Sequence, residues 1–299
     1  MAITTVRAAR QALGPVGVSL PVSFTSTPTV DVQRDALGRL EKVGYRATWT
    51  NEMIGKDAFT QLAVLLAATR RMVFGTCIAN IWTREPQTAH AGAALLAQAY
   101  PDRFVLGLGV GYPEQAASTG RTFGSPLATM RDYRERMDGQ TWPPAPDTAY
   151  PRIIAANGPK MLALAGEIAD GALPAGLPPE FTAEAREILG PDKLLVVGLN
   201  VVADTDPDQA RTGARERVTA SLGLPSFAAT IARLGYSAEG DRLVDAVVAH
   251  GGPAAIADKV RSHIAAGSDH VTLLLPLGTD FTVGVAQLEQ LAPALSELG

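Results

Sequence analysis

The sequence predicts an α/β fold, the (β/α)8 TIM barrel, in which eight parallel strands close into a barrel that helices surround. Three observations predict it. Eight short apolar runs recur along the chain, helical patterns separate most of them, and 299 residues exceed the roughly 250 that such a barrel needs. Strands that are apolar along nearly their whole length are typical of parallel sheets covered on both faces.

The predicted strands are short and rich in β-branched residues. They span residues 16–20, 46–50, 72–79, 103–109, 152–157, 171–175, 194–203 and 270–276. Helical windows lie between them at 30–44, 57–70, 86–100 and 159–169. Pro86 and Pro159 suit the first turn of a helix, and Gly44 suits the position just after one.

The chain is predicted to form a single domain, residues 1–299. Residues 207–266 hold more helical sequence than one crossover requires, which predicts a helical insertion before the last strand. The proline-rich stretch 142–151 is interpreted as a stiff surface connection and not as a clear domain boundary.

Composition excludes several classes of function. A net charge of −4 and a pI near 5.6 provide no general field for nucleic acid, so a nucleic-acid partner is not expected. The single cysteine, Cys77, excludes an intrachain disulfide framework and fits a reducing compartment. No signal peptide or membrane span is indicated, so we expect a cytoplasmic protein.

Residues just after the strands are the candidates for function, because a barrel of this class carries its chemistry at the carboxyl ends of its strands. Glu52 is the candidate acid or base, since a carboxylate at a strand end is less ordinary than one on a helix, although a solvated surface charge is the alternative. The others are Pro21, Ser23, Phe24, Asn51, Met53, Ala79, Asn80, Trp82, Arg84, Glu85, Gly109, Gly111, Tyr112, Glu114, Asn157, Gly158, Pro159 and Lys160.

Two glycine-containing motifs leave alternatives open. The stretch LGLGVGYPE (106–114) lacks the third glycine of a dinucleotide fingerprint; its glycines permit either close packing or the approach of a flat cofactor. The stretch AANGPKM (156–162) is either a structural turn or an anion site at a helix start, with Lys160 beside it.

Other catalytic motifs are missing from the sequence. It contains neither Gly-x-Ser-x-Gly nor a phosphate-binding P-loop pattern, which weakens hydrolase and nucleotidase interpretations. The four histidines, at 90, 250, 263 and 270, have no metal-ligand spacing, so no metal site is expected. Only His90 follows a strand closely enough to be an active-site candidate, and the other three are interpreted as structural.

Several segments together resemble one known family. They are GYRATWTNE (44–52), AATRRMVFGTCIANIWTREP (67–86), PDRFVLGLGVGYPE (101–114), AANGPKMLALAGEIADG (156–171), VVADTDPDQAR (201–211) and DRLVDAVVAHGGPAAIADKVRSHIAAGSDHV (241–271). In their order and spacing they resemble the bacterial luciferase-like flavin and deazaflavin oxidoreductases, in particular the branch that uses coenzyme F420.

The resemblance implies where a cofactor would bind. It implies a non-proline cis peptide bond at Cys77–Ile78, in a bulge that supports the deazaflavin ring, with Cys77 filling space and its thiol pKa raised by apolar surroundings. The remaining cofactor-binding residues that it implies are Ala79, Asn80, Gly109, Val110, Gly111, Asn157, Gly158, Pro159 and Lys160.

The reaction implied is hydride transfer between C5 of coenzyme F420 and a small organic substrate. Relatives often have an acidic residue followed by histidine after the second strand, but this chain has Glu52–Met53, which leaves Glu52, Tyr112 or Glu114 to handle the proton. Phe24, Trp82 and Tyr112 are the expected substrate contacts, and a homodimer is expected. The alternatives are an FMN-dependent luciferase-like monooxygenase and a non-catalytic cofactor-binding protein.

Overall fold

A computed structural model describes residues 2–298 of the chain, and within that range the strands form one sheet. The strands are β1 (Val16–Ser19), β2 (Ala47–Thr50), β3 (Val73–Thr76), β4 (Ala79–Asn80), β5 (Phe104–Gly109), β6 (Arg152–Ala155), β7 (Gly171–Leu173), β8 (Leu194–Ala203), β9 (Val248–Gly251) and β10 (His270–Leu274).

Eight of these strands close into a parallel barrel in the order β1, β2, β3, β5, β6, β7, β8, β10. Pairing of β10 with both β8 and β1 completes the ring, with Val271 opposite Val197 on one side and Val16 on the other. Each of the eight apolar runs contains one barrel strand, so the predicted TIM barrel is confirmed. Two short strands lie off the ring: β4 extends the β3 side beside β5, and β9 pairs with the end of β8.

Helices surround the barrel on its outside and at its base. They are α1 (Ala2–Leu13), α2 (Val30–Lys42), α3 (Ala58–Ala68), α4 (Pro86–Ala99), α5 (Pro113–Ser118), α6 (Pro126–Met137), α7 (Pro159–Ile168), α8 (Pro179–Leu189), α9 (Pro207–Leu222), α10 (Pro225–Arg233), α11 (Asp241–Val247), α12 (Pro253–Ala265) and α13 (Phe281–Leu295), followed by a 3-10 turn (Ser296–Leu298). None of these described helices is both long and apolar enough to cross a bilayer.

Local sequence explains where the helices begin. Thr29 and Asp57 cap α2 and α3, since their side chains accept hydrogen bonds from the backbone N–H groups of Val32 and Thr60. The expected prolines open α4 and α7. The insertion at 207–266 is helical as predicted, with one difference: it also contains β9.

The barrel interior holds its own hydrophobic cluster, separate from the larger one between strands and helices. Trp49 fills much of the interior, and it does so because position 75 is a glycine: a Cβ there would lie 2.2 Å from the indole ring. Helix α1 places Val6, Ala9 and Leu13 in this interior cluster. The helix therefore closes the amino-terminal end of the barrel and leaves the carboxyl end as the open mouth.

Candidate active site

Strand alternation decides which residues face the barrel mouth. On β2, Ala47 and Trp49 belong to the interior cluster, so the next inward position is Asn51 and the next outward one is Glu52. On β8, Leu194 and Val196 are interior, which makes Asn200 an inward residue near the end of its strand.

The end of β3 forms the bulge that the resemblance implied. The peptide bond Cys77–Ile78 is cis, as expected. Hydrogen bonds to the neighbouring strand hold it on both sides: the Cys77 N–H donates to the Thr50 carbonyl at 2.7 Å, and the Glu52 N–H donates to the Ile78 carbonyl at 3.1 Å. The bulge is therefore attached to the end of β2.

Gly109 on β5 lies behind the bulge. A Cβ at this position would be 2.3 Å from the Ile78 Cδ1 atom, so only glycine lets the Ile78 side chain settle there. Ile78 thus covers the inward face of Gly109. The geometry makes Gly109 a support for the bulge, where the resemblance implied direct contact with a cofactor ring.

Cys77 and Ile78 form the floor of the mouth. Both pack against the interior cluster, yet both are partly exposed, which means that the mouth opens onto them. Burial raises the pKa of the Cys77 thiol to about 12, as the apolar setting led us to expect. The thiol therefore stays protonated at neutral pH and is a poor nucleophile.

Ala79 and Asn80 continue the bulge into β4 and are buried. The Asn80 N–H donates to Glu52 Oε2 at 2.8 Å, and the Asn80 side-chain oxygen accepts from the Trp82 N–H at 3.0 Å. Asn80 therefore holds the chain as it leaves the bulge.

Trp82 does not reach the mouth. Its side chain is buried in the outer cluster, its indole N–H donates to the Val110 carbonyl at 2.6 Å, and its ring packs against Phe123. This placement in the outer cluster does not support the expectation that Trp82 contacts a substrate in the mouth. Val110 is buried in the same outer cluster.

Glu52 is surrounded by hydrogen-bond donors. Its carboxylate accepts five hydrogen bonds: from the N–H groups of Ala58 and Asn80, from the Thr83 hydroxyl and from both terminal nitrogens of Arg84, the last at 2.9 and 2.6 Å. With five donors around it and only 1% of its side chain exposed, the carboxylate is closed to an incoming substrate. It faces outward, so this geometry does not support the expected role of Glu52 as the catalytic acid.

Lys56 is a mouth residue that the sequence did not reveal. The turn after β2 folds back on itself, with Lys56 paired to Met53 through two backbone hydrogen bonds. The Lys56 ammonium then donates to the side-chain oxygen of the inward-facing Asn51 at 2.8 Å. Burial lowers the pKa of Lys56 to about 8, while the Glu52 charge opposes part of that shift.

The loop after β5 carries the next set of expected residues. Gly111 has φ +62°, and Gln115 accepts the Tyr112 N–H at 3.0 Å beside it, where a Cβ on residue 111 would collide with the Gln115 oxygen. Tyr112 is 40% exposed at the rim of the mouth. Its pKa is raised by burial, with Arg217 opposing the shift, so its hydroxyl remains a donor at neutral pH.

The Asn157 side chain, after the end of β6, forms hydrogen bonds with a residue that follows β7. Its side chain exchanges two hydrogen bonds with the backbone of Ala175, at 2.9 and 3.2 Å, and its carbonyl accepts from Thr230 of α10 at 2.7 Å. Asn157 therefore positions the loop after β7 and ties the insertion to the rim.

The first turn of α7 has no side-chain cap. Gly158 occupies the N-cap without a side-chain cap, Pro159 follows, and Lys160 is exposed. A helix start of this kind can bind an anion, which is one of the two alternatives that the sequence left open. Phe24, after β1, is also at the rim, 63% exposed and close to Gly278 in the loop after β10.

Neither His90 nor His270 lies at the mouth. His90 contacts the Tyr150 hydroxyl at 2.7 Å and Arg152 at 3.2 Å, at the amino end of β6, which removes it as an active-site candidate. His270 is buried inside the barrel base: it accepts from the Trp49 indole at 3.0 Å and donates from Nδ1 to the Gly14 carbonyl at 2.7 Å. His250 is on β9, within the stretch 207–266 that was predicted to be helical.

Arg217 is the second mouth residue that the sequence missed. It extends from α9 to the side-chain oxygen of Asn200 on β8, at 2.9 Å. Charged residues are frequent along α9, so nothing in the sequence distinguished this one. Its role depends on where the insertion folds, which only the structure shows.

Comparison with known proteins identifies the family. The sequence model of the luciferase-like monooxygenases matches residues 15–270. A Mycobacterium tuberculosis protein provisionally named as a coenzyme F420-dependent oxidoreductase is 29% identical over 182 residues, which cover 50% of this chain and 52% of that protein. A 5,10-methylenetetrahydromethanopterin reductase of Methanolobus tindarius is 28% identical over 169 residues, covering 50% and 51%. The chain thus spans about half the length of the curated relatives it matches.

Solved structures share the fold at low sequence identity. An F420-dependent secondary alcohol dehydrogenase, solved with an F420–acetone adduct, superposes with a TM-score of 0.74 at 17% identity, covering 94% of this chain and 99% of that one. The FMN complex of the oxygenating constituent of 3,6-diketocamphane monooxygenase from Pseudomonas putida gives 0.71 at 15% identity, covering 95% and 98%. Since the family model spans most of its 299 residues, this chain belongs to the luciferase-like monooxygenase family.

Proposed function

We propose that this protein is a coenzyme F420-dependent oxidoreductase that transfers a hydride between the deazaflavin and a small organic substrate. The observation that carries the proposal is the bulge at the end of β3, whose Cys77 and Ile78 form a partly exposed floor in an otherwise closed barrel. The names of the relatives support the choice of cofactor, since those with 28–29% identity are F420-dependent by name or are methylenetetrahydromethanopterin reductases.

The residues present fit a flat ring with polar edges. The floor is apolar apart from a protonated thiol, and Asn51 and Lys56 supply polar groups at one side. The uncapped start of α7 suits a phosphate, with Gly158, Pro159 and Lys160 as its proposed contacts. When bound, the deazaflavin supplies two-electron hydride chemistry at C5 and suppresses reaction with oxygen.

The protein's own residues would position the cofactor and supply the proton that the substrate needs. Glu52 and Arg84 hold the bulge from behind and so support the shape of the floor. We place the proton on Lys56 Nζ: when a carbonyl substrate accepts hydride at carbon, the ammonium would give its proton to the oxygen and form the alcohol. In the reverse direction neutral Lys56 would take that proton back.

Phe24 and Tyr112 are the proposed substrate contacts. Both are exposed at the rim, one after β1 and the other after β5, so they face the mouth from different sides. Tyr112 can donate a hydrogen bond, whereas Phe24 offers only apolar surface.

Titration of the purified protein with coenzyme F420 and, separately, with FMN tests the choice of cofactor. We expect saturable quenching of F420 fluorescence, weaker binding of FMN, and hydride transfer without oxygen consumption in a panel of carbonyls, enones and alcohols. Preferential FMN binding with oxygen uptake would replace the proposal with the monooxygenase alternative, which the FMN-bound structural neighbour keeps open. Tight F420 binding without turnover across the panel would favour a cofactor-binding protein.

A further inference from the structure

Arg217 is a cation without a matching anion. One of its terminal nitrogens donates to the neutral side chain of Asn200 at 2.9 Å, while its Nε atom is buried and has no hydrogen-bond partner. No carboxylate in the part of the chain that the structure describes forms an ion pair with it. Its neighbour on the same helix, Arg215, is by contrast exposed and paired to Asp241 at 2.9 Å through Nε.

The position of Arg217 is over the barrel mouth. Asn200 faces inward near the end of β8, and the charge of Arg217 also acts on Tyr112, which follows β5. Strands β6 and β7 separate β5 from β8 in the ring. A side chain close to both must therefore lie above the opening and not on the outside wall.

The surroundings of Arg217 do not compensate its charge. Burial disfavours the charged guanidinium and lowers the pKa of Arg217, with only Tyr112 opposing the shift. A guanidinium nevertheless remains charged in proteins, so a half-buried one is stabilised chiefly by an anion that accepts its parallel N–H donors. The protein supplies a neutral amide to one terminal nitrogen and, among the described residues, no acceptor to the other terminal nitrogen or to the buried Nε–H.

We propose that Arg217 binds an anionic group, a carboxylate or phosphate, on the molecule that enters the mouth, with the Tyr112 hydroxyl as a second donor. The inference rests on the proposed function in taking the mouth as the active site. Two sources can supply such a group: the substrate itself, or the phosphate and carboxylate tail of the cofactor. Where the substrate supplies the anion, the proposed substrate class is a small carbonyl or alcohol compound that carries an acidic group.

The experiment compares Arg217→Met with Arg215→Met, a control that removes the same charge from the same helix. Calorimetric titrations use benzoate and inorganic phosphate, on the protein alone and on the protein saturated with coenzyme F420. Fluorescence titrations use F420 and its riboside, which lacks the phosphate and the tail. We expect Arg217→Met to weaken at least one anionic ligand by about tenfold or more, and Arg215→Met to change none.

The pattern of losses identifies the source. Loss of benzoate or phosphate binding with unchanged F420 affinity assigns the anion to the substrate, whereas weaker F420 binding with unchanged riboside binding assigns it to the cofactor tail. If Arg217→Met binds F420 and both probes as the wild type does, or if the wild type binds neither probe and F420 affinity is unaffected, the proposal is overturned. Failure of F420 to bind, with anion binding still dependent on Arg217, would instead refute the proposed function alone.

Discussion

Glu52 and Lys56, two ionisable residues that follow β2, have hydrogen-bond partners that suit them to different roles. The Glu52 carboxylate accepts from backbone, hydroxyl and guanidinium donors on the outer side of the strand. Lys56 meets one neutral acceptor, Asn51, on the inner side. A carboxylate enclosed by donors is fixed in place, whereas a largely buried ammonium with a single amide partner can release its proton at modest cost.

Glu52 is therefore predicted to be a positioning residue whose loss appears as lost stability. Glu52→Gln puts an NH2 group among buried donors and leaves Arg84 with Asp57 as its remaining carboxylate, so we expect about 2–4 kcal/mol lower free energy of unfolding in urea. Asp57→Asn is the matched control: it touches the same Arg84, but its side chain is 53% exposed and asparagine still caps α3. Equal losses in the two variants would contradict the assignment.

Lys56 is predicted to set the alkaline limb of the pH profile. With a pKa of about 8, the ammonium needed for carbonyl reduction is lost as the pH rises through that value, so the rate should fall there. Lys56→Met should lower kcat for reduction by about 10²-fold and abolish this limb, without changing the dissociation constant of F420 more than a few-fold.

Lys56→Arg separates charge from proton transfer. Arginine keeps the positive charge but does not deprotonate in this range, so cofactor affinity should be retained while turnover stays low. Recovery of wild-type turnover in Lys56→Arg would show that the residue acts only through its charge.

At the scale of elements, α1 has a structural role that its sequence hides. Its apolar residues enter the interior cluster and close the barrel base, and its end is tied to the interior through Gly14 and His270. Leu13→Ala should lower the free energy of unfolding by about 2–4 kcal/mol, because the rigid barrel cannot collapse around the cavity. The exposed Gln11→Ala on the same helix should change it by less than about 0.5 kcal/mol, and a similar effect of both would show that α1 does not plug the barrel.

The strands were predictable and the site only in part. A strand buried on both faces must be apolar, so runs such as 194–203 mark β8 directly, and residues after them fall at the rim. The direction in which a side chain points is harder to predict at a strand end. Glu52 and Trp82 follow their strands closely in the sequence, which predicts a place at the rim, yet strand alternation and the bulge direct both side chains outward. Lys56 and Arg217 reach the mouth through a folded-back turn and an insertion helix, and neither contact is encoded in local periodicity.

At the scale of the whole molecule, closure of the barrel brings together residues far apart in the chain. His270 on β10 joins the Trp49 indole of β2 and the carbonyl after α1, and His263 on α12 joins Thr182 of α8 at 2.8 Å. Both histidines are fully buried; the partners of both His270 ring nitrogens suit the neutral imidazole, whereas the Nε2 atom of His263 has no hydrogen-bond partner. The closed barrel thus depends on two histidines that must stay uncharged.

This requirement predicts an acid-sensitive barrel. Burial lowers the pKa of His263 and of His270 from 6.5 to about 4, so the unfolded chain binds more protons than the native one between those values. Stability should therefore be highest above pH 6.5 and fall as the pH drops toward 4, by up to about 3 kcal/mol for each histidine. Urea unfolding between pH 6.5 and 5, above the range where most carboxylates titrate, measures how steeply the free energy of unfolding changes with pH. His263→Asn should reduce this slope by the equivalent of about one bound proton. His270→Gln, which can still accept from Trp49 and donate to Gly14, should reduce it likewise, and a slope that neither substitution changes would show that other groups cause the acid sensitivity.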